Sequence, residues 1–513
     1  MSSYVISIDI GTQGTKAALF NSKMQLIADA FEESKLISTK PGTIWQEPDD
    51  LYISCVNTVK DLLEKSNAAA KDIEAIGIDG QMAGIMGVDS KGEASTYYDS
   101  WLDTRCSKYV KHMYDRAGKR ITELCGGPVT YVHGPKILWW KHEHPDIYKR
   151  TAKFIPPNAY VVGKMTGLSG YEAYFDYTHL HFSCLADNSN KSWSDELLEI
   201  FDIDKQKMAR IVSPFDVIGK VTKDFAGLSG LMEGIPVVAG CGDTAASTFG
   251  SGMFQREQVL DCAGTASVLC SVVDKYVPDT KNETLTMMRS PVDGLFLPLA
   301  YINGGGMCLR WFRDTLTGDP TAGYDELQEE AEAVESGSEG LIFIPHFSGR
   351  VLPSNPNLKG TYLGLDFKHT RGHMYRAVME SIAYEYKYYL SILRKLYPHY
   401  NFNQMLIMGG GAKSELFNQI KADVLGIPVT ALELGETALL GSAVIAAFGI
   451  GMLPDYKKPI LQVMKKGAEY TPDINRHRIY TMYSEAYLNA IEEITPYYNN
   501  FHTIADNFSN TAQ

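Results

Sequence analysis

The sequence predicts an α/β fold in two or three domains, built around a unit near the start that is duplicated about half a chain later. Three observations lead there. The chain has 513 residues, more than one hydrophobic core organises. Apolar strand-like runs alternate with helical stretches over most of its length. A strand, an Asp, a Gly-Thr turn and a second strand occur near the start and recur about half a chain later, which suggests duplication with facing turns. The composition (45% apolar, 21% charged) is that of an ordinary globular protein. A net charge of −13, from 48 basic and 61 acidic residues, argues against nucleic acid as the main partner. The eight cysteines form no C-x-x-C pair, so neither a zinc site nor a disulfide framework is suggested. The first strand begins almost at once and no apolar run is long enough for a bilayer, so a cytoplasmic protein with no membrane partner is expected.

The first element is residues 4–20, two strand-like runs around Gly11-Thr12-Gln13-Gly14. Its glycines allow a tight turn in which N–H groups and the Thr12 hydroxyl can converge on an anion. Asp9, at the end of the first run, needs a cation or a water network if it is buried there. Residues 48–65 carry apolar positions at helical spacing, and 73–79 read as a strand running into Gly80-Gln81-Met82-Ala83-Gly84. A glycine-bounded bend at a strand end is a common place for a ligand to meet backbone. Trp101, Asp103 and Arg105 then offer an aromatic face, a carboxylate and a guanidinium, groups that suit a polyhydroxylated ligand and equally an ordinary ion pair. Residues 131–144 read as a helix after a Gly-Pro break; His142 and His144 are two apart and form no metal set. Asp176 lies in an aromatic stretch that is either a substrate-facing loop or packed core.

Residues 236–250, Pro-Val-Val-Ala-Gly-Cys-Gly-Asp-Thr-Ala-Ala-Ser-Thr-Phe-Gly, read as a buried strand, a glycine turn and a helix start. Asp243 at that start meets free N–H groups and the helix dipole and is expected to stay ionised at neutral pH. It is either an ordinary cap or a base that takes a hydroxyl proton during phosphoryl transfer. Residues 259–273 repeat the opening plan with Asp261, Gly264 and Thr265. Asn303 to Gly306 precede a helix, residues 341–365 read as loop, and Thr370 caps a long helix. The strand 405–408 ends in Gly409-Gly410-Gly411-Ala412 before a helix from Ser414, which lets flat groups and phosphates approach backbone. An Ala- and Gly-rich helix at 436–449 suggests close packing at a domain interface, and a last helix near 476–497 closes the chain.

Taken together, Asp9-x-Gly11-Thr12, Gly240-x-Gly242-Asp243, Gly264-Thr265 and Gly409-Gly410-Gly411-Ala412-Lys413-Ser414 resemble the FGGY carbohydrate kinases, a branch of the actin-like ATPase superfamily, over about residues 4–450. Lys136 and Trp139 match that family's first signature, from which His133 and Trp140 depart. The 349–364 loop and following helix resemble the second signature without its Gly-Glu-Arg-Thr-Pro.

The resemblance implies two actin-like (ribonuclease-H-like) α/β domains, each a mixed sheet flanked by helices, with an interdomain cleft: 1–250 with the sugar site and 251–455 with the adenosine site, followed by a helical closing segment, 456–513. It implies transfer of the ATP γ-phosphate to a sugar or polyol, with Asp243 as base and Asp9 holding Mg²⁺, and a small-molecule sugar as partner. Gly11, Thr12, Gln13, Lys16, Gly264 and Thr265 would touch phosphates; Gly306, Gly410, Gly411 and Ala412 would line the adenosine pocket. Gln81, Met82, Ala83, Trp101, Asp103, Arg105 and Asp176 would serve the sugar. The run ending Gly-Gln-Met-Ala-Gly is most similar to xylulokinases, which usually have His where Ala83 stands. That makes a ketopentose such as xylulose the leading acceptor, with another ketose or a sugar alcohol as the alternative. A reading from another class is a nucleotide-driven binding protein of the same superfamily. A homodimer is one assembly the chain could adopt.

Overall fold

In the computed structural model, residues 3–318, 321, 323–433 and 435–511 are described. The opening run forms β1 (Tyr4–Ile10), whose mostly buried residues suit a central strand. It turns antiparallel into β2 (Gly14–Asn21), followed by β3 (Leu26–Glu33). Helix α1 (Pro48–Ser66) starts on a proline whose missing N–H costs nothing in a first turn, with Asp49 and Asp50 at the positive end of the dipole. It leads to β4 (Ile73–Gly80), parallel to β1. Helix α2 (His133–Glu143) begins two residues before Pro135 rather than after it, because proline is tolerated in a first turn. Then come β5 (Val217–Lys220), β6 (Pro236–Val238), β7 (Cys241–Gly242) and α3 (Asp243–Gly250).

The second half repeats the plan. Strands β8 (Val259–Ala263), β9 (Ser267–Ser271), β10 (Thr286–Arg289) and β11 (Phe296–Ile302) precede α4 (Gly305–Trp311). Helix α5 (Arg371–Leu396) carries the expected cap, with Thr370 and His373 bonding reciprocally. After it come β12 (Met405–Met408), α6 (Glu415–Leu425), β13 (Val429–Glu433), α7 (Thr437–Gly449), β14 (Lys465–Tyr470) and α8 (Ile474–Thr511). The stretch expected as loop contains an antiparallel pair, Ile342–Ile344 with Thr361–Leu363. Its partners are too far apart in sequence for a hairpin signal.

The duplication is explicit in the two sheets. The first runs β3-β2-β1-β4-β6-β5, with β7 also beside β4; the second runs β11-β9-β8-β12-β13-β14, with β10 added outside β11. Each has three antiparallel strands, then two parallel ones, then an antiparallel edge. Each sheet has its own apolar core. A third core lies between them, formed by α3, α7 and the facing side chains of both sheets. The Ala- and Gly-rich α7 thus packs at the interface, as its composition suggested. A Cβ on Gly441 would lie 2.1 Å from the Ala246 carbonyl oxygen, and one on Gly250 would lie 2.0 Å from that of Thr437. Among the described residues no helix is long and apolar enough to cross a membrane.

Candidate active site

Open α/β sheets bind ligands at the carboxyl ends of their parallel strands. Here β1, β4 and β7 end side by side, with Asp9 opposite Asp79 and Gly80 opposite Gly242. Asp243 follows directly as the first residue of α3, with Gly242 rather than Asp243 in the capping position. Its Oδ1 accepts from the Thr244 backbone N–H (2.5 Å) and hydroxyl (3.1 Å). The three carboxyls are close enough to act on one another. Burial, then the Asp9 charge, pushes the Asp243 carboxyl up to about 7. This corrects the expectation of a permanently ionised cap: the helix N-terminus favours the anion, but burial beside a like charge outweighs it. Burial also raises Asp9, to about 6, and raises Asp79 with Asp9 as the second cause.

Asp79 was not singled out in the sequence, although it is the last charged residue of a predicted strand. Its register against Asp9 is what makes it part of the site. Its Oδ2 accepts from the Ser442 hydroxyl of α7 at 2.5 Å, while Oδ1 of both Asp9 and Asp79 is buried without a partner. Such an all-oxygen, charge-crowded group fits Mg²⁺, which takes one or two carboxylates and fills its octahedron with water and phosphate oxygens. Among the described residues no group of three or more His, Cys, Asp or Glu side chains is arranged to hold a metal ion.

The first turn is held by Gly11 N–H donating to the Gly14 carbonyl at 3.0 Å. The Thr12 hydroxyl accepts from Trp101 Nε1 (2.9 Å) and donates to Gln81 Oε1 (3.2 Å), and Gln81 Nε2 donates to Gln46 (2.7 Å). Turn, bend and indole are therefore one hydrogen-bonded unit, with Gln13 exposed at its tip. Met82 packs where a Gly242 side chain would stand, within 2.5 Å of its would-be Cβ, and Ala83 adopts φ 63°, a left-handed conformation unusual for a residue with a Cβ. Asp103 is buried; it accepts from Ile44 N–H (2.6 Å) and from Arg105 Nε (2.8 Å), whose guanidinium lies 4.8 Å from the Tyr97 and Trp139 ring centres. The Asp103–Arg105 pair is thus an interior brace of this wall, not an exposed ion pair.

Two candidate residues are engaged within the protein. Lys16 pairs with Glu436 at 3.0 Å, across the two halves of the chain, with both side chains substantially exposed. Asp176 lies in packed core: it is fully buried and accepts from the Thr178 N–H (3.1 Å) and hydroxyl. Thr178 Oγ1 in turn accepts from Gly242 N–H at 3.0 Å. Asp176 therefore acts on the residue before Asp243, through Thr178.

In the second half, Gly264 N–H donates to the Ala266 carbonyl (3.1 Å), and the Gly264 and Thr265 carbonyls accept from Gly306 N–H (3.2 Å) and Met307 N–H (3.0 Å) at the start of α4. A Cβ on Gly306 would lie 2.3 Å from the Gly264 oxygen, and one on Gly411 would lie 2.6 Å from Ala263 Cβ, so the three glycine turns converge at the ends of β8 and β12. Ala412 continues the last of these, and Gly410 has open space around it. Asp261 does not repeat Asp9. It stands three residues before its glycine rather than two, and strand side chains alternate faces. It is buried against Lys421 Nζ (2.6 Å) and the Tyr386 hydroxyl (2.6 Å).

Residues 4–250 match the N-terminal domain of the FGGY family of carbohydrate kinases, and residues 262–450 match its C-terminal domain. The chain is 28% identical over 490 residues to a xylulose kinase of Bacillus subtilis, covering 95% of this chain and 96% of that protein. It is 24% identical over 473 residues to a gluconokinase of Bacillus licheniformis, covering 89% of each. The fold superimposes with a TM-score of 0.90 on a ligand-bound xylulose kinase from Lactobacillus acidophilus, at 23% identity over 97% of this chain and all of that one.

Proposed function

Because the chain belongs to the FGGY family of carbohydrate kinases and has its actin-like fold, we propose that it transfers the γ-phosphate of ATP to a hydroxyl of a ketopentose such as xylulose, with Asp243 as general base. The observation that carries this is the meeting of Asp9, Asp79 and Asp243 at the ends of adjacent strands, beside the glycine turn that ends β1.

Asp243 takes the acceptor hydroxyl proton as that oxygen bonds to the γ-phosphorus; the bond from phosphorus to the β,γ-bridging oxygen breaks and ADP leaves. A carboxyl with pKa about 7 suits this task, since it is a stronger base than a solvated aspartate yet still substantially ionised at neutral pH. Asp9 would hold Mg²⁺ through water, and a bound Mg²⁺ neutralises charge on the phosphates. Gly11, Thr12 and Gln13 with Gly264 and Thr265 supply backbone and hydroxyl contacts to the phosphate chain. Gly306 and Gly410 to Ala412 leave room for the adenosine. Met82, Ala83 and Trp101 line the acceptor, braced by Gln81, Asp103 and Arg105. Lys16, released from Glu436, could also reach the phosphates.

Xylulose is favoured by the Gly-Gln-Met run and by the relatives named xylulose kinase. A second acceptor class, another ketose or a sugar alcohol, is supported by Ala83, which offers no hydrogen bond. The test is a coupled ADP-release screen over ketopentoses, polyols and deoxy sugars, with Asp243→Ala alongside. Acceptor-dependent ADP release should disappear in Asp243→Ala while nucleotide binding persists; full activity in the variant would remove the mechanism.

A further inference from the structure

Beneath the Gly80–Gly84 bend are polar groups that the proposed mechanism does not use. Tyr98 is fully buried, and its hydroxyl makes no hydrogen bond. A Cβ on Gly84 would lie 2.0 Å from that hydroxyl, so the phenol rests directly on the backbone next to Ala83. Besides burial, the Asp243 charge raises the Tyr98 phenol, so the phenol lies within electrostatic reach of Asp243. From the other side comes His133, on the first turn of α2 and 1% exposed. Its ring is set edge-on to Phe175 with centroids 5.5 Å apart, and neither ring nitrogen has a hydrogen-bond partner. The Gly84 backbone lies at that ring and can serve at most one of its two nitrogens. Buried polar groups in folded proteins are almost always satisfied, so an orphaned phenol and an imidazole with an unserved nitrogen at one glycine call for an occupant.

Their chemistry defines that occupant. Burial holds His133 in the neutral form, which presents one donor and one acceptor. A phenol hydroxyl also presents both. The cations nearby are committed elsewhere: Lys136 Nζ donates to the Asp103 and Tyr131 carbonyls, and Arg105 is paired with Asp103. Two neutral groups that donate and accept match alcohol hydroxyls and offer no charge to a carboxylate.

We propose that Tyr98 and His133 are specificity-determining residues that read hydroxyls of a neutral polyhydroxy acceptor, supplying from below the bend the hydrogen bonds that Ala83 does not make. This rests on the kinase reading above. The experiment measures KM for the best acceptor, KM for ATP and the thermal midpoint of wild type, Tyr98→Phe, His133→Gln and His133→Leu, with gluconate in the acceptor panel. Each lost hydrogen bond should raise the acceptor KM about five- to tenfold, with KM for ATP unchanged. His133→Gln should retain more affinity than His133→Leu, and gluconate should be a poor acceptor. An unchanged acceptor KM in both Tyr98→Phe and His133→Leu would overturn the inference, as would a wild type that prefers gluconate to every neutral sugar. Tyr98→Phe adds no bulk, so it reports even if the His133 variants fold poorly. A wild type that turns over no acceptor would instead remove the kinase reading itself.

Discussion

Gly441→Ala tests whether the crossing of α3 and α7 sets the position of Asp243. The added methyl would lie 2.1 Å from the Ala246 carbonyl oxygen, where ordinary contact begins near 3.4 Å. The obstacle is helix backbone, so the two helices must part by about 1 Å along that contact. Overpacking of this size costs about 1–3 kcal/mol, and a domain of about 250 residues loses about 2–4 °C per kcal/mol. Asp243 is the first residue of the displaced helix, and a misplacement of about 1 Å at a reacting group costs about 100-fold in rate. Thermal unfolding followed by circular dichroism and the acceptor-dependent kcat should therefore both fall. Gly227→Ala is the control: it lies within the helix Lys223–Ser229 with open space around its would-be Cβ, and should be neutral or slightly stabilising. A Gly441→Ala enzyme with the wild-type kcat and midpoint would refute the argument.

Two further outcomes concern protons and buried charge. With the Asp243 carboxyl at about 7, the ionised fraction, and with it kcat/KM for the acceptor, should rise about tenfold between pH 6 and 8; a profile flat over that range would exclude Asp243 as the titrating base. The folded protein binds this proton more tightly than the unfolded chain does, so stability declines as pH rises from the ordinary carboxylate range through about 7. Asp243→Asn should lessen that decline, leaving the part due to Asp9 and Asp79, and melt above wild type at pH 8. Glu385 is the opposite case: burial opposes its ionisation, but the Arg350 and His346 charges and the bonds from His346 (3.1 Å) and Tyr487 (2.7 Å) outweigh it and hold the carboxyl below its usual range. Its contribution is present above the ordinary glutamate range and lost only in strong acid. Arg350→Met, which removes the 2.8 Å partner, should cost about 3–5 kcal/mol in urea unfolding at pH 7, and a loss below 1 kcal/mol would contradict the pairing.

What the sequence disclosed was mostly local chemistry. The hairpins at 4–20 and 259–273, the proline-started α1, the Thr370 cap and the interface role of α7 each follow from a few neighbouring residues. The converging glycines of the second half were likewise visible, because turns advertise themselves. What the sequence did not disclose depends on partners distant in the chain. Asp79 matters through its register with Asp9. Lys16 is engaged by a glutamate 420 positions away. Asp176 reads as either a loop carboxylate or packed core, and its burial and its link through Thr178 to Gly242 are tertiary. Asp243 was expected to be anionic because its dipole environment is local, whereas its burial and its Asp9 neighbour are tertiary.

The one-residue difference between Asp9 and Asp261 has a consequence for how the duplicated halves divide their labour. Where the first copy keeps an acid at the mouth of the crevice, the second presents Cys262 and sends its acid inward, to a lysine. One rim carries a carboxylate that can recruit a counterion, while the other offers amides and the Thr265 hydroxyl. The two rims are therefore chemically unlike, so a ligand lying between them would meet different groups at its two ends.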